Sequence, residues 1–362
     1  MDFATNLFAY KNHFETFAHV KSHLVYGELS TSPVFVSVVI PTYKRANLLK
    51  DTIDSAINQQ GFEDYEIIIV DNDPDQSFKS ATQLLVESYQ HPKIRYYKHD
   101  ENIGMFPNWN RGIELARGEW VTLLHDDDIC FSYYLREMSG VLRKNPHVEA
   151  LKGKQLYWKD DQTKSILDIE NDFPFTKCTF RKVRKIDNYF ANSIGPTGIF
   201  YKKKNLLKLG GFSPDFYPSS DYVLGNLYLF YFNTFITHEY LGVYRWAENE
   251  SLRYETKVKM IEQGHIIRIQ YRKLLKLNNV IWEKLIFLIT KASISTILLP
   301  YNKELGENLK GILDYKINRV ALVNMFYRIC RVDLTLRDKT FFPRLSRKFK
   351  SAGSRSGIGH NF

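Results

Sequence analysis

The sequence predicts an α/β protein built on a mainly parallel, Rossmann-like sheet and followed by a helical C-terminal region. Three observations predict it. The apolar, largely β-branched runs Val38-Val39-Ile40 and Ile67-Ile68-Ile69-Val70 suit strands covered on both faces. Segments of helical period separate such runs at the spacing of βαβ units. The runs then end in polar residues, at Thr42-Tyr43, at Asp71-Asn72-Asp73 and at His125-Asp126-Asp127-Asp128. Open α/β sheets bind ligands at such strand ends, so these three should line one crevice.

Residues 1–33 read as an extension, a partly helical arm that ends at Ser32-Pro33. Val36–Pro41 is the first strand, and Ala46–Gln59 places Leu48, Leu49, Ile53, Ala56 and Ile57 at helical spacing. Tyr65–Val70 is the second strand, Gln76–Tyr89 a helix, Lys93–Lys98 the third strand and Phe106–Ala116 a helix. Trp120–Leu124 delivers the acidic run, and Tyr133–Lys144 follows as a helix. From about Val148 to Trp246 the pattern loosens into shorter strands and Gly/Pro turns. It includes a strand at Ser193–Tyr201, helices at Lys202–Leu209 and Ser220–Phe230, and strand character over Phe235–Trp246. Helical spacing then dominates Val258–Leu277, Trp282–Leu299 and Leu305–Arg328. Four regions follow: the extension, an α/β domain over 34–250 (halves 34–150 and 151–250), a basic helical region over 251–350 and a disordered tail over 351–362.

A chain of 362 residues with 44% hydrophobic and 25% charged residues has the composition of a folded protein of about two domains. Cys130, Cys178 and Cys330 lie far apart and form no CxxC pair, which argues against a disulfide framework or a zinc site and fits a reducing compartment. No signal peptide is visible. The most apolar stretch, Ile281–Pro300, is interrupted by Glu283, Lys284 and Lys291 and reads as an amphipathic helix rather than a membrane span. The net charge of +10 is unevenly placed: residues 1–252 hold 28 Lys and Arg against 32 Asp and Glu, residues 253–362 hold 22 against 8. A basic appendage of this kind suits an anionic membrane surface, or is a solvated helical face. Nucleic acid is not expected, because no zinc-finger, homeodomain or RNP-like motif accompanies the charge.

Three adjacent carboxylates repel one another unless something positive sits among them. A divalent cation with anionic cargo meets that need, and hard carboxylate oxygens suit it. The structural alternative is an acidic turn in which Asp128 caps a helix starting near Phe131.

Five ordered segments carry a resemblance: Val38-Val39-Ile40-Pro41-Thr42-Tyr43-Lys44-Arg45, Ile69-Val70-Asp71-Asn72, Asn102-Ile103-Gly104, Arg111-Gly112-Ile113-Glu114-Leu115-Ala116-Arg117-Gly118-Glu119-Trp120 and His125-Asp126-Asp127-Asp128. Together, over roughly Val36 to Arg245, they resemble family-2 inverting glycosyltransferases of the GT-A (nucleotide-diphospho-sugar transferase) fold, common in bacterial polysaccharide synthesis. The resemblance implies donor contacts from Pro41, Thr42, Tyr43, Arg45, Asp71, Asp73, Asn102, Gly104, Asn108, Arg111 and Asp126. It also implies a divalent metal, Mn²⁺ or Mg²⁺, on the family's Asp-x-Asp motif. Asp127 matches the second Asp, with Asp128 and His125 as further candidates. His125 stands where the family has its first Asp, which leaves open whether His125 or Asp126 takes that role. Asp128 is either a ligand-side group or the helix cap. Trp109 is equally a core residue or a sugar platform.

After Gly210-Gly211-Phe212 the family carries an acidic pair whose second member is the base of transfer. Asp221 matches it, and Ser220 replaces the first acid. Gly195, Pro196 and Thr197 should floor the acceptor side. The family's Tyr-Arg before a late His is matched by Tyr244-Arg245, but no His follows in Trp246-Ala247-Glu248-Asn249-Glu250; Arg245 is either a phosphate contact or a structural ion pair. The expectation is an inverting, metal-dependent transfer from a nucleoside diphosphate sugar to a glycan or lipid-linked glycan, at the cytoplasmic face of the membrane. Its rivals are a catalytically silent glycan- or lipid-binding scaffold and a sugar-phosphate nucleotidylyltransferase. The latter is disfavoured because Pro41–Arg45 lacks the glycines of a phosphate loop.

Overall fold

The computed structural model describes residues 7–75, 78–159, 166–173, 175, 177–190, 192–246 and 249–314. In chain order the elements are β1 (Ser22–Tyr26), β2 (Val34–Thr42), α1 (Ala46–Ile57), β3 (Tyr65–Asp71), α2 (Ala81–Ser88), β4 (Ile94–His99), α3 (Met105–Leu115) and β5 (Gly118–Leu123). Then come β6 (Ile129–Cys130), α4 (Tyr134–Lys144), β7 (Ala150–Lys159), α5 (Ile166–Asn171), β8 (Phe180–Lys182), α6 (Asp187–Phe190), β9 (Ile199–Lys202) and α7 (Lys203–Leu209). Last are α8 (Ser220–Tyr231), β10 (Thr234–Trp246), α9 (Tyr254–Leu274), α10 (Val280–Ser293) and α11 (Glu307–Asp314).

One sheet runs in the order β1-β4-β3-β2-β5-β9-β7-β10-β6, with β8 also on β10. The strands β4, β3, β2 and β5 are mutually parallel, as the apolar runs predict. Beyond β5 the sheet is mixed: β9 is antiparallel to β5 and β7, while β7 and β10 are parallel. Thr42 stands opposite Asp71 in register, and Val39 opposite Leu123. The three polar strand ends therefore emerge at one edge. Close packing of α3 beneath them depends on Gly112, where a Cβ would lie 2.3 Å from a Val39 methyl carbon.

Charge is buried below the strand ends as well. Glu66 of β3 accepts from Ser37 Oγ (2.6 Å), Arg117 N (2.7 Å) and Arg117 Nε (2.8 Å), and pairs with Arg95. Four donors offset the desolvation of one carboxylate and tie β2, β3, β4 and the start of β5 together.

Several expectations are corrected. Over its described residues, 7–33, the extension is not a separate arm: β1 pairs antiparallel with β4, while Phe14 and Val20 are buried. The helix expected from Gln76 starts at Ala81, because Ser80 caps it by accepting from Gln83 N (3.2 Å). The strand expected over Ser193–Tyr201 is confined to Ile199–Lys202, after Gly198 turns the chain at φ +71°. Residues 150–159 form one long strand rather than loosened short pieces.

The helices after Leu252 pack on the catalytic domain and belong to one compact unit through Leu309, so the boundary expected near residue 250 does not separate them. Ile267 and Tyr271 of α9 are fully buried; Ile267 packs with Tyr222 and Val223, and Arg268 Nε donates to Tyr189 O (3.0 Å). A second unit, Lys310–Phe362, is described only over its first five residues, so the helix expected to run to Arg328 and the tail over 351–362 lie outside the described residues. Among the described residues, the helical stretch Val280–Tyr301 is long and apolar enough, by length and composition, to cross a membrane, with 28% of its apolar window buried.

Candidate active site

The acidic run leaves β5 in a tight turn, with Asp128 N donating to His125 O (3.0 Å). Its repulsion is answered by one guanidinium. Arg45, just after β2, donates from one nitrogen to Asp126 (2.7 Å) and from the other to Asp127 (2.9 Å). Thr42 Oγ1 adds a bond to Asp126 (2.8 Å), and Asn249 Nδ2 one to Asp127 (3.0 Å). Burial pushes Asp126 up to about 6 against the pull of Arg45.

Asp128 is not a helix cap. The helix α4 begins at Tyr134, too far on, and Asp128 Oδ1 instead accepts from Arg245 N (3.1 Å). Its Oδ2 is buried without a hydrogen-bond partner, and burial beside Asp127 raises its carboxyl well above the usual range. Arg245 is structural: its side chain reaches behind the turn to Asp127 O, Asp51 (2.7 Å) and Leu48 O (2.9 Å).

His125 completes the turn. Its Nδ1 is 2.9 Å from Thr197 Oγ1, and its ring lies 4.8 Å from that of Trp109. Trp109 is buried against Phe106 and Phe212, so it is a core residue supporting His125 rather than an open sugar platform. Burial lowers the imidazole to about 4, which keeps it neutral at pH 7, and its Nε2 is buried without a partner. One ligand atom each of His125, Asp127 and Asp128 fall within 4.8 Å of one another. A neutral imidazole and two carboxylates, with two buried polar atoms lacking partners, fit a divalent cation.

Across the cleft, the Gly210-Gly211-Phe212 turn is fixed by Asn110, whose amide donates to Phe212 O (2.8 Å) and whose carbonyl accepts from Phe212 N (2.8 Å). The following α8 carries Asp221 in its first turn. Asn192 Nδ2 donates to Asp221 (2.7 Å), and burial pushes the carboxyl up to about 6. The neighbouring Ser220 is buried, its Oγ without a partner. Gly195, Pro196 and Thr197 belong to a turn that bonds Asp221 through Asn192 at one end and His125 through Thr197 at the other. Their turn is held by Lys152 Nζ, which donates to Gly195 O (3.1 Å) and Thr197 O. Burial lowers Lys152 to about 8 despite Asp128 and Asp221.

The donor-side residues divide. Tyr43 is 42% exposed at the cleft, beside Lys44 in the left-handed region at φ 55°. Pro41 lies within β2 opposite Val70. Asp73 is 3.8 Å from Lys44 Nζ, and Asn102 bonds Asn72 (2.6 Å) and Gly104 N (3.0 Å) at the loop leading into α3. Asp71 has the expected place but no exposed surface, since Tyr96 Oη (2.6 Å) and Asp73 N (3.0 Å) take its two oxygens; direct contact with a base is not available to it here. Two expectations fail outright. Asn108 is buried between Val70 O (3.2 Å) and His99 (2.8 Å), and Arg111 turns away to Val20 O (2.8 Å) and Phe17 O (2.9 Å). Lys152, Asn192 and Asn249 were not foreseen. Each stands outside any motif, and only the fold brings it to the cleft.

The profile described as "Glycosyl transferase family 2" matches residues 37–204. The chain is 29% identical over 222 residues to the GalNAc(5)-diNAcBac-PP-undecaprenol β-1,3-glucosyltransferase of Campylobacter jejuni, covering 60% of this chain and 66% of that protein. It is 25% identical over 273 residues to an uncharacterized glycosyltransferase of Methanocaldococcus jannaschii, covering 73% and 89%. The solved mannosyltransferase of Pyrobaculum calidifontis, in complex with GDP-Man and Mn²⁺, shares the fold with TM-score 0.51 at 17% identity, over 88% of this chain and 91% of that one. Residues 37–204 thus match a family-2 glycosyltransferase domain, and the sheet they build has the GT-A fold.

Proposed function

We propose that the chain is a divalent-metal-dependent, inverting glycosyltransferase that moves a sugar from a nucleoside diphosphate donor to a glycan or lipid-linked glycan in cell-surface polysaccharide synthesis. The observation that carries this reading is the shared turn Asn192–Thr197. It touches Asp221 at one end and His125 of the acidic cluster at the other. One turn thus links the proposed proton acceptor to the proposed cation site.

His125, Asp127 and Asp128 would hold the cation, which when bound supplies Lewis-acid neutralisation of the leaving diphosphate. Asp221 takes the proton of the acceptor hydroxyl. The freed oxygen attacks the anomeric carbon as the bond to the diphosphate breaks on the opposite face, which inverts the centre. Thr42 and Arg45 hold Asp126 and Asp127 in place, while the exposed Tyr43 and the buried Asp73 border the space for the nucleoside. The lipid-linked acceptor in the name of the Campylobacter relative supports a lipid-linked acceptor here, and the GDP-Man and Mn²⁺ of the Pyrobaculum structure support the donor class and the metal.

Donor hydrolysis tests this. A panel of UDP-glucose, UDP-GlcNAc and GDP-mannose with Mn²⁺ or Mg²⁺ is expected to yield free nucleoside diphosphate for at least one donor, and EDTA should stop it until metal is restored. Turnover indifferent to EDTA would sink the metal assignment. Peripheral attachment to the cytoplasmic membrane face is supported by the basic charge after Leu252 and by the apolar stretch Val280–Tyr301. Flotation with phosphatidylglycerol vesicles should occur at low salt and weaken at high salt; equal flotation with neutral vesicles would refute the electrostatic part.

A further inference from the structure

The strand β7 lies inside the sheet, its Lys152 opposite Ile199 of β9 on one side and Ile236 of β10 on the other. A backbone held on both sides gives the side chain a fixed origin. From there the half-buried ammonium donates to Gly195 O (3.1 Å) and Thr197 O, beneath the turn that joins the two acid centres. Partial desolvation of an ammonium is costly. Two carbonyls alone do not require it, since a neutral amide donor would satisfy them. What a neutral donor lacks is charge, and the charge of Lys152 acts on both Asp128 and Asp221.

We propose that Lys152 is a positioning residue for sugar transfer, clamping the Gly195–Thr197 turn and holding a fixed positive charge between Asp128 on the metal side and Asp221 on the acceptor side. The inference rests on Asp221 being the base and deepens that reading. The base must be ionised to take a proton, and burial works against ionisation. Among the described residues, the titratable groups that face Asp221 are Tyr201 on β9, Tyr222 on α8 and Lys152 on β7. Burial holds both tyrosines neutral, so Lys152 is the one of the three that favours the carboxylate. The same lysine fixes the backbone of Thr197, whose hydroxyl orients His125. One side chain thereby sets the ionisation of the base and the attitude of the imidazole.

The test uses the full chain, Mn²⁺ and whichever of the three panel donors the wild type hydrolyses fastest, with pH profiles for Lys152→Met, Lys152→Arg and Asp221→Asn. For a one-unit rise in the pKa of the base, at the low end of what loss of an opposite neighbouring charge does, Lys152→Met should lose about fivefold in kcat at pH 6. The loss should shrink toward pH 8, with KM for the donor held within about twofold. Lys152→Arg should restore most of the rate and the wild-type acid limb. Should Lys152→Met fold poorly, Lys152→Gln, which keeps a donor for the carbonyls without the charge, carries the same expectation. A wild-type profile in the uncharged variants overturns the proposal. So does a pH-independent loss that Lys152→Arg shares, which would mark a purely structural role. An active Asp221→Asn removes the base reading itself, and an inactive one beside unmoved Lys152 variants removes only this inference.

Discussion

Asp221→Asn is expected to lower transfer by about 10²- to 10⁴-fold, the usual contribution of a positioned base, while donor affinity and melting temperature stay near wild type. The amide has the shape of the carboxylate and still meets Asn192, but it has no basic oxygen for the proton of the acceptor. The sign of the pH dependence follows from the direction of the shift. Burial raises Asp221 to about 6, so the proton stays on until that pH is passed. The base is absent below and present above, and wild-type kcat/KM should rise through about pH 6 to a plateau. Asp126 is pushed into the same range and does not touch the acceptor side. The residual activity of Asp221→Asn assigns the limb: it should lose the rise if Asp221 is responsible. Near-normal turnover in this variant would refute the assignment.

The second large effect is expected at Asp127→Ala. The wild-type carboxylate accepts from Arg45 and Asn249 and lies within the His125, Asp127 and Asp128 cluster. Its removal takes away one of the three candidate ligands and frees one arm of the Arg45 fork. The other arm stays on Asp126, and the backbone of the turn remains tied by Arg245, so the fold should survive. Metal-dependent hydrolysis should fall by more than about 100-fold, beyond the loss typical of removing a group that only supports a ligand. Mn²⁺ titration followed by thermal shift gives a readout independent of activity: wild type should be stabilised by the ion and Asp127→Ala should not. A variant that keeps both responses would show that Asp126 or His125 carries the site without it.

What could be read beforehand was whatever the chain states locally. Val38–Ile40 and Ile67–Val70 announce buried parallel strands because both of their faces are covered, and their polar ends follow from strand direction. The strand over 150–159 hid because Lys152, Lys154 and Lys159 interrupt its apolar pattern, although β9 and β10 flank it on either side. Asp128 looked like a cap because a helix does follow it; the backbone N–H that it accepts belongs to Arg245, over a hundred residues later. Asp71 and Arg111 were assigned outward roles, yet Tyr96 of β4 closes off one and carbonyls near residues 17–20 draw the other away. Distant partners decide such cases. Motif spacing locates a cleft well, but it does not say which polar atoms are left over to face it.

The pairing of β1 with β4 bears on how the protein lives in solution. Without β1, the long parallel half of the sheet would end in the unpaired peptide groups of β4, a template on which another chain could add a strand. With it, the outermost strand is only Ser22–Tyr26, irregular in register between Leu24 and Tyr26 and followed by Gly27. Short, uneven borders of this kind are poor seeds for association. The segment ahead of β2 thus covers the margin of β4, and shortening the chain to Val34 is expected to lay that margin bare.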